Sequence, residues 1–353
     1  MDLYILDKGL DVISVVDYAK SIIWAKRYAK TGDCEIYVPA TKEIMAIMEI
    51  GYYITRDDDD MICRIESVEL DTSREEGNYL IVTGYDCKKI LNQRVIWNQM
   101  NYNGTVENFI RKMINDNLVD PEISFRKIDN FVLGSANRFT ETTHEQVTYD
   151  NLGEKVEELC TTYGYGSKVT FNPDSKTFEF NIYKGMDRSY NQSENDFVVF
   201  SPEFDNIVST KFLLDASDFC NVALIAGEGE GVQRKRYTVG ISSGIQRYEL
   251  FVDAKDVSSN TDEGQTIDYD EALKNRGRER LAEHNINTAF DGEVEPNYSY
   301  KYGEDYNLGD IVQIVNEYGI EASARITEVI ESEDDNGYLI TPTFEYQESG
   351  EVM

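Results

Sequence analysis

The side chains best suited to acid–base or nucleophilic chemistry are few and badly placed for it. Only two histidines, His144 and His284, occur in 353 residues. His144 stands in the polar run Thr142-Thr143-His144-Glu145, and His284 ends a charged stretch. Both read as surface residues. A Ser-His-Asp or Cys-His site needs an imidazole buried against its nucleophile, and no G-x-S-x-G context supports one. Zinc needs several His or Cys ligands at short spacing, which are absent. Cys34, Cys63, Cys87, Cys160 and Cys220 are odd in number, scattered and without C-x-x-C spacing, the pattern of reduced thiols in a chain assembled inside a cell.

Carboxylates are abundant, which makes them uninformative. Among 66 acidic residues, some pair falls at glycosidase spacing by chance. Asp57-Asp58-Asp59-Asp60 and Glu333-Asp334-Asp335 lack the fixed Gly and distal Glu of an EF-hand loop and read as solvated loops. Gly227-Glu228-Gly229-Glu230-Gly231 superficially offers a phosphate cradle. Its acids repel phosphate and no Lys- or Thr-bearing helix follows, so it reads as a hairpin or loop. Lys274, Arg276, Arg278 and Arg280 form the densest basic patch, interleaved with Glu271, Glu279 and Glu283. Self-neutralising pairs on a helix, or a subunit contact, explain it better than nucleic-acid binding. No catalytic, cofactor-binding or metal-binding residue is assigned. No cofactor and no enzymatic activity are expected.

The formal net charge is -32. Such a surface repels nucleic-acid phosphates and anionic lipid heads. It serves solubility, or it forms a wall that DNA passes without sticking; charge alone does not separate the two. Hydrophobic residues make up 41 %, enough for a core, and the length favours two or three domains. The 24 tyrosines suit half-buried sheets and interfaces. The start, MDLYILDKGLDVISVVDYAK, lacks a basic flank before an apolar run, so no signal peptide is expected, and no stretch approaches a membrane span.

The elements that would hold these residues are mostly strands. Ile22-Ile23-Trp24-Ala25 runs into Arg27-Tyr28, and Glu35 to Val38 follows the Gly32-Asp33 turn. Thr41 caps a short helix carrying Ile44, Met45, Ile47 and Met48. Strands are expected at Met61 to Leu70 and Tyr79 to Thr83, around a turn at Glu75-Glu76-Gly77-Asn78. The middle changes period. Thr105 to Leu118 and Tyr149 to Tyr163 read as helices, the second with Leu152, Val156, Leu159 and Cys160 on one face. Val169 to Phe171 and Phe178 to Tyr183 alternate about the turn Asn172-Pro173-Asp174-Ser175. Strands return at Phe197 to Phe200, Ile207 to Leu214, Asn221 to Ala226, Gln233 to Gly240 and Arg247 to Val252. After a helix at Tyr269 to Asn285 they resume at Ile311 to Val315, Ala324 to Ile330 and Tyr338 to Phe344.

The two ends resemble each other. Arg64-Ile65-Glu66-Ser67-Val68 precedes an acidic stretch and Gly77-Asn78-Tyr79-Leu80-Ile81. Arg325-Ile326-Thr327-Glu328-Val329 precedes an acidic stretch and Asn336-Gly337-Tyr338-Leu339-Ile340. Gly32-Asp33 and Gly309-Asp310 stand ahead of each. The expected fold is mainly β (α+β): two related small β-barrel domains at 1–100 and 200–353, flanking an α+β insertion domain at 101–199, with a helical insertion near 269–285 in the second barrel.

Several segments in order carry a wider resemblance: Gly32-Asp33-Cys34-Glu35-Ile36-Tyr37-Val38-Pro39, Val82-Thr83-Gly84-Tyr85-Asp86, Tyr183-Lys184-Gly185-Met186-Asp187-Arg188-Ser189, Phe200-Ser201, Arg247 to Ala254, and Tyr302 to Asp310. With these the chain resembles the siphovirus tail-hub proteins, relatives of the central baseplate hub of contractile tails. The resemblance implies a homotrimer whose six barrels form a pseudo-sixfold ring matching hexameric tail-tube rings. It implies contacts with tail-tube and distal tail or baseplate proteins on one side and a spike or fibre on the other. DNA would pass through the channel without specific binding, and the location would be the virion tail tip or baseplate. The peptidoglycan-cleaving and receptor-binding domains of many relatives are not expected in this chain. The alternative is a tail-tip glycan-acting enzyme or host-receptor adhesin using a carboxylate pair and exposed Tyr. Lumen-facing acids, with Asp57 to Asp60 and Glu333 to Asp335 as candidates at matching hairpin positions, would keep DNA mobile within a Debye length of about 8 Å.

Overall fold

The computed structural model describes residues 1–73, 77–258, 268–294, 300–316, 318 and 321–346. The first third contains strands β1 (Leu3–Leu6), β2 (Val12–Val16), β3 (Ser21–Arg27), β4 (Asp33–Pro39), β5 (Tyr53–Thr55), β6 (Ile62–Ser73) and β7 (Gly77–Asp86), with the short helix α1 (Lys42–Ile47). The middle has β8 (Met100–Thr105), α2 (Val106–Ile114), β9 (Phe131–Leu133), β10 (Thr142–Val147), α3 (Leu152–Tyr163), β11 (Gly166–Asn172) and β12 (Thr177–Tyr183). The rest has β13 (Val199–Phe200), β14 (Ile207–Asp215), β15 (Val222–Ala226), β16 (Arg236–Val239), β17 (Glu249–Asp253), α4 (Tyr269–Ala282), β18 (Asn287–Val294), β19 (Ile311–Val315), β20 (Glu321–Asp334) and β21 (Gly337–Tyr346).

Period-two alternation drives the strands. In β4, Cys34, Ile36 and Val38 point inward while Glu35 is exposed; in β7, Leu80, Val82 and Gly84 point inward. The expected helix caps hold in part. Thr41 Oγ1 accepts from Ile44 N at 3.2 Å. Thr105 sits at the cap of α2 without a side-chain bond. Helix α3 begins at Leu152, later than Tyr149, because Asn151 Oδ1 accepts from Gly153 N and Glu154 N and sets the start. The turn before β12 forms as expected, with Asn172 Oδ1 accepting from Asp174 N and Ser175 N. The turn expected at Glu75-Glu76 lies outside the described residues. β13 is shorter than the strand expected from Phe197, and β1, β2, β5, β8, β9, β10 and β18 are strands that the sequence pattern does not predict.

Thirteen strands join one sheet, along the path β14-β18-β21-β20-β3-β4-β7-β6-β5-β1-β2, with β19 beside β20 and β13 beside β19. Among the described residues the two ends share one sheet and its path does not close, so the fold is mainly β as expected while the layout as two separate barrels is not shown. Strand β20 joins the two ends. It is longer than expected, and one of its edges serves two partners, β19 along Glu321 to Arg325 and β3 along Glu328 to Asp334.

The paired hairpins at the two ends match closely. In β6–β7, Ile65 faces Gly84, Ser67 faces Thr83 and Ser73 faces Gly77. In β20–β21, Ile326 faces Phe344, Glu328 faces Thr343 and Asp334 faces Gly337. Each has a bulge after its Arg-Ile pair, at the same offset from the tip. The likeness stops at the hairpin. β4, after Gly32-Asp33, pairs with β7, whereas β19, after Gly309-Asp310, pairs with β20.

Among the described residues, buried apolar side chains form four cores. One lies within the N-terminal strands around Trp24, Ile36 and Val82. One joins α2, α3 and the β9–β12 sheet, around Phe109, Leu159 and Phe180, and reaches Ile62 and Leu6. A third lies under β19–β21, around Phe200, Tyr306 and Phe344. The fourth packs α4 on the small β16-β15-β17 sheet, through Ala223, Ile225, Val252 and Leu273. Helix α4 thus does more than interrupt strands: it covers a sheet. Gly277 makes this approach possible, since a Cβ there would lie 2.5 Å from Ile225 Cδ1.

Tyr28, just after β3, ties three of these regions together. Its N–H donates to Thr327 O at 2.9 Å, and its carbonyl accepts from Ser167 N at 2.9 Å. Its hydroxyl donates to Gly164 O at 3.1 Å and accepts from Gly185 N at 3.3 Å. Arg325 lies over the ring, 5.2 Å from its centroid, and donates to Gly309 O. The ring fits only because glycines surround it. A Cβ on Gly166 would meet it at 2.3 Å and one on Gly309 at 2.2 Å, while one on Gly185 would strike Gly309 O at 2.0 Å. Gly309 also has φ +95°, a conformation that L side chains resist. Tyr28→Ala is expected to lose about 3–5 kcal/mol and Tyr28→Phe about 1 kcal/mol, read by urea denaturation. Gly309→Ala combines overpacking with strain and should cost at least about 2 kcal/mol.

Candidate functional site

The sites where this chain concentrates polar chemistry are interior charge clusters at the seams between cores. The first lies where β3 meets β20. Lys26 Nζ binds Asp59 Oδ2 at 2.6 Å and Glu331 Oε1 at 2.8 Å, and sits 4.6 Å from the Tyr302 ring centroid. Arg56 grips Asp58 with two bonds of 2.8 and 2.7 Å and reaches Glu331 Oε2 at 3.1 Å. Tyr338 Oη donates to the same Glu331 oxygen at 2.6 Å. Burial opposes the charge on Glu331, but Lys26 and Arg56 outweigh it and hold its carboxyl below the ordinary value. Arg27 extends the seam at the surface by binding Glu328 at 2.6 Å and pairing with Asp33.

Asp57 to Asp60 is a loop with Asp57, Asp58 and Asp60 exposed as expected, but Asp59 turns inward. Asp59 is buried on Lys26, Asp58 is clamped by Arg56, and Asp60 pairs with Lys168. The loop joins β5 to β6, at the end of the β6–β7 hairpin far from its tip, whereas Asp334 and Asp335 lie at the tip of β20–β21. The two acidic runs do not occupy matching positions. Asp334 and Asp335 are exposed, as expected, while Glu333 pairs with the terminal amine.

The second cluster joins the middle region to α4. Lys155 Nζ on α3 lies 3.2 Å from Glu145, 3.1 Å from Glu279 and 3.5 Å from Glu158. Arg276 binds Asp256 at 3.2 Å, and Thr143 Oγ1 donates to Glu145 Oε1 at 2.8 Å. Lys155 and Glu279 are almost wholly buried, so this is not the self-neutralising surface pairing expected for the helix. That pairing does hold on its outer face, at Arg278–Glu271 and Arg280–Glu283. Two carboxyls compete for one ammonium. Burial and the neighbouring Glu145 push Glu279 well above the ordinary range despite Lys155, whereas Lys155 overcomes burial at Glu145 and holds it low. His144, expected at the surface, is half-buried on β10, and its carbonyl accepts from Asn275 Nδ2 of α4 at 3.2 Å.

A third node explains two of the sequence segments singled out above. Asp310 is buried and accepts from Met186 N at 2.7 Å, Arg188 Nε at 3.0 Å and Asn307 N at 3.0 Å. The Tyr183 to Ser189 and Tyr302 to Asp310 segments thus meet at one carboxylate. The five cysteines are free, and burial pushes the Cys160 thiol up to about 12. Gly227 to Gly231 forms the β15–β16 loop, closed by Gly227 N donating to Lys235 O at 2.9 Å. Among the described residues, no three His, Cys, Asp or Glu side chains gather as metal ligands, and no helix is long and apolar enough to cross a membrane. Sequence reasoning missed Tyr28, Lys26, Arg56, Glu331 and Lys155. The only local signal was a charged residue at an inward position of an otherwise apolar pattern.

The model of the Siphovirus ReqiPepy6 Gp37-like proteins matches residues 2–344. The chain belongs to that family. No curated protein matches it. Among solved structures it is similar to the tail protein from Neisseria meningitidis MC58, at 12 % identity and a TM-score of 0.60, covering 98 % of this chain and 96 % of that one. It is similar to the 43 kDa tail protein of prophage MuSo2 from Shewanella oneidensis, at 12 % identity and TM-score 0.58, covering 98 % of both. Prophage tail protein gp18 from Listeria monocytogenes EGD-e gives 13 % identity and TM-score 0.56, covering 99 % of this chain and 96 % of that one. The tail-protein resemblance read from the sequence therefore holds over nearly the whole chain, and this Gp37-like protein is a mainly β phage tail protein.

Two outcomes are expected from the clusters. Glu331→Ala leaves Lys26 and Arg56 facing a lost partner and should cost about 3–5 kcal/mol, whereas Glu328→Ala, at the more exposed Arg27 pair, should cost about 1 kcal/mol or less, by chemical denaturation. Glu279 has its folded pKa raised, so its contribution is complete below the ordinary carboxylate pKa and fades as pH rises toward the folded value. Glu279→Gln mimics the protonated group. It should flatten the fall in Tm expected of the parent chain as pH rises above the ordinary carboxylate pKa.

Proposed function

We propose that this Gp37-like protein is a structural hub subunit of a tail tip or baseplate. Three copies form a ring that adapts the hexameric tail tube to a trimeric spike or fibre and lines the channel. The observation that carries the reading is the pair of matching bulged hairpins, β6–β7 and β20–β21, on the two halves of one sheet. Three chains would present six such hairpins, the number a sixfold tube ring requires. Membership of a tail-protein family supports the setting.

The sheet also suits cyclic association. Its end strands, β2 and β14, each have one neighbour in the sheet. Both expose apolar side chains, Val12, Ile13 and Val15 on β2 and Leu213 and Leu214 on β14. Exposed apolar edges that remain in a stable protein call for a cover. Different edges at the two ends favour head-to-tail contact, which closes as a ring. The small β15–β17 sheet and its loops add Val232, Ile241, Ile245 and Phe251, a second apolar surface suited to neighbouring tail proteins. In this reading the chain performs no catalysis and takes no cofactor, and its excess acid keeps passing DNA hydrated.

Cryo-EM of assembled tails tests the reading. Three copies per tip are expected; one or six would overturn the hub assignment. Zymography of the purified chain on host cell walls should show no clearing, and clearing abolished by one Glu or Asp substitution would replace the structural role with an enzymatic one.

A further inference from the structure

An open pocket of about 160 Å³ lies on the middle region, away from the sheet ends and from the charge clusters. Trp97 forms its most exposed wall. The protein has two tryptophans: Trp24 is completely buried, whereas Trp97 is 51 % exposed. A half-exposed tryptophan normally needs either a cover or a mount. Here one ring face lies 4.5 Å from the Arg126 guanidinium, and the exposure belongs to the rest of the indole.

The mount is rigid. Arg126 donates to Val95 O and, at 3.1 Å, to Asn117 Oδ1. Arg94 Nε donates to Arg126 O at 3.0 Å. Asn117 is 3 % exposed and is itself held, since its Nδ2 donates to Met113 O at 2.9 Å. Helix α2 and the turn after it thus fix the indole through a chain of bonds. Polar groups ring it. Asn98 Nδ2 donates to Glu122 Oε2 at 3.3 Å, and Gln99 Nε2 donates to Asn101 Oδ1 at 3.1 Å. These side chains line the pocket and are solvent-accessible, and each amide retains donor or acceptor capacity.

We infer that this pocket binds one ring of a neutral sugar. A pyranose has an apolar C–H face and a rim of hydroxyls that both donate and accept. A fixed aromatic plane with amides and a carboxylate at its edge complements both surfaces. An anionic ligand fits worse. Arg126 is covered by the indole and committed to two oxygens, Lys112 is paired with Asp116, and Glu122 repels negative charge. The volume suits a single ring in an open cleft rather than a long chain enclosed in a tunnel. This inference is independent of the hub reading: a structural ring carries such a pocket equally well.

Tryptophan emission of the full chain reads the site, because acrylamide, an uncharged quencher, reaches Trp97 and not Trp24. Glucose, galactose, rhamnose and N-acetylglucosamine are titrated singly. At least one should protect Trp97 saturably, with a Kd on the order of 1 mM, as expected for so small a ligand. Saturation-transfer NMR then gives affinity without relying on the indole. Trp97→Ala should weaken binding at least about tenfold and Asn98→Ala about threefold, with unchanged far-UV circular dichroism. Asn98→Ala, at an exposed side chain, carries the test if Trp97→Ala fails to fold. The inference is overturned if no sugar protects Trp97, if both variants keep the parent affinity, or if glycerol 3-phosphate binds while neutral sugars do not. That last result would mark an anion site.

Discussion

The structure depends on a close approach around one tyrosine ring. Tyr28 occupies a space bounded by Gly166 and Gly309, backed by Gly185, and a methyl group at any of the three would collide with the ring or the backbone beside it. Its backbone joins the C-terminal hairpin strand at Thr327 and the middle sheet at Ser167, and its hydroxyl bonds the middle region again at Gly164. The N-terminal, middle and C-terminal regions therefore meet at this point through hydrogen bonds and van der Waals contact, beside the apolar core that also joins the first two. Such a point tolerates little adjustment, because close-packed interiors pass strain to their neighbours. The continuity of the sheet through β3 and β20 follows from it, since Tyr28 ends β3 where β20 begins to pair with it.

Charge reinforces the same seams. In a chain with 34 basic residues against 66 acidic ones, Lys26, Arg56, Lys155 and Arg276 are withdrawn from the surface and placed between cores. Each is surrounded by two or more carboxylates. A buried pair contributes little net stability compared with an apolar replacement, but removing one partner is costly. These clusters therefore specify which surfaces meet more than they hold them together. Carboxylates are buried with them, Asp59, Glu331, Glu145 and Glu279 among these, so the clusters leave the acidic excess at the surface in place.

The same economy separates structure from recognition. The interior charges are paired, with one buried polar atom of each of Arg56, Arg276, Glu158 and Glu279 left without a hydrogen bond, and four of the five free cysteines are buried. The features left for partners are apolar strand ends, the apolar face of the β15–β17 sheet, and a mounted tryptophan with amides around it. Contacts of this kind suit assembly and binding, which act through shape and burial.

The sequence by itself determined what depends on neighbours along the chain. Alternation placed β3, β4, β7, β11 and β12; helical spacing placed α2, α3 and α4; Thr41 and Asn172 marked a cap and a turn. The Arg-Ile and Gly-Tyr-Leu-Ile repeats located two hairpins that share even the position of their bulge. Order of modest motifs was enough to point to tail proteins. The tertiary structure alone decided which edges pair and which charges go inside. Alternation after Ile22 and Trp24 puts Lys26 at an inward position, but nothing local distinguishes Asp59 from Asp57 or names the partner of either charge, because burial of a charge depends on a residue distant in sequence, as Glu331 is from Arg56. The one-sheet path has the same origin: β20 has two hydrogen-bonding edges, and only the packing around Tyr28 brings β3 to one of them.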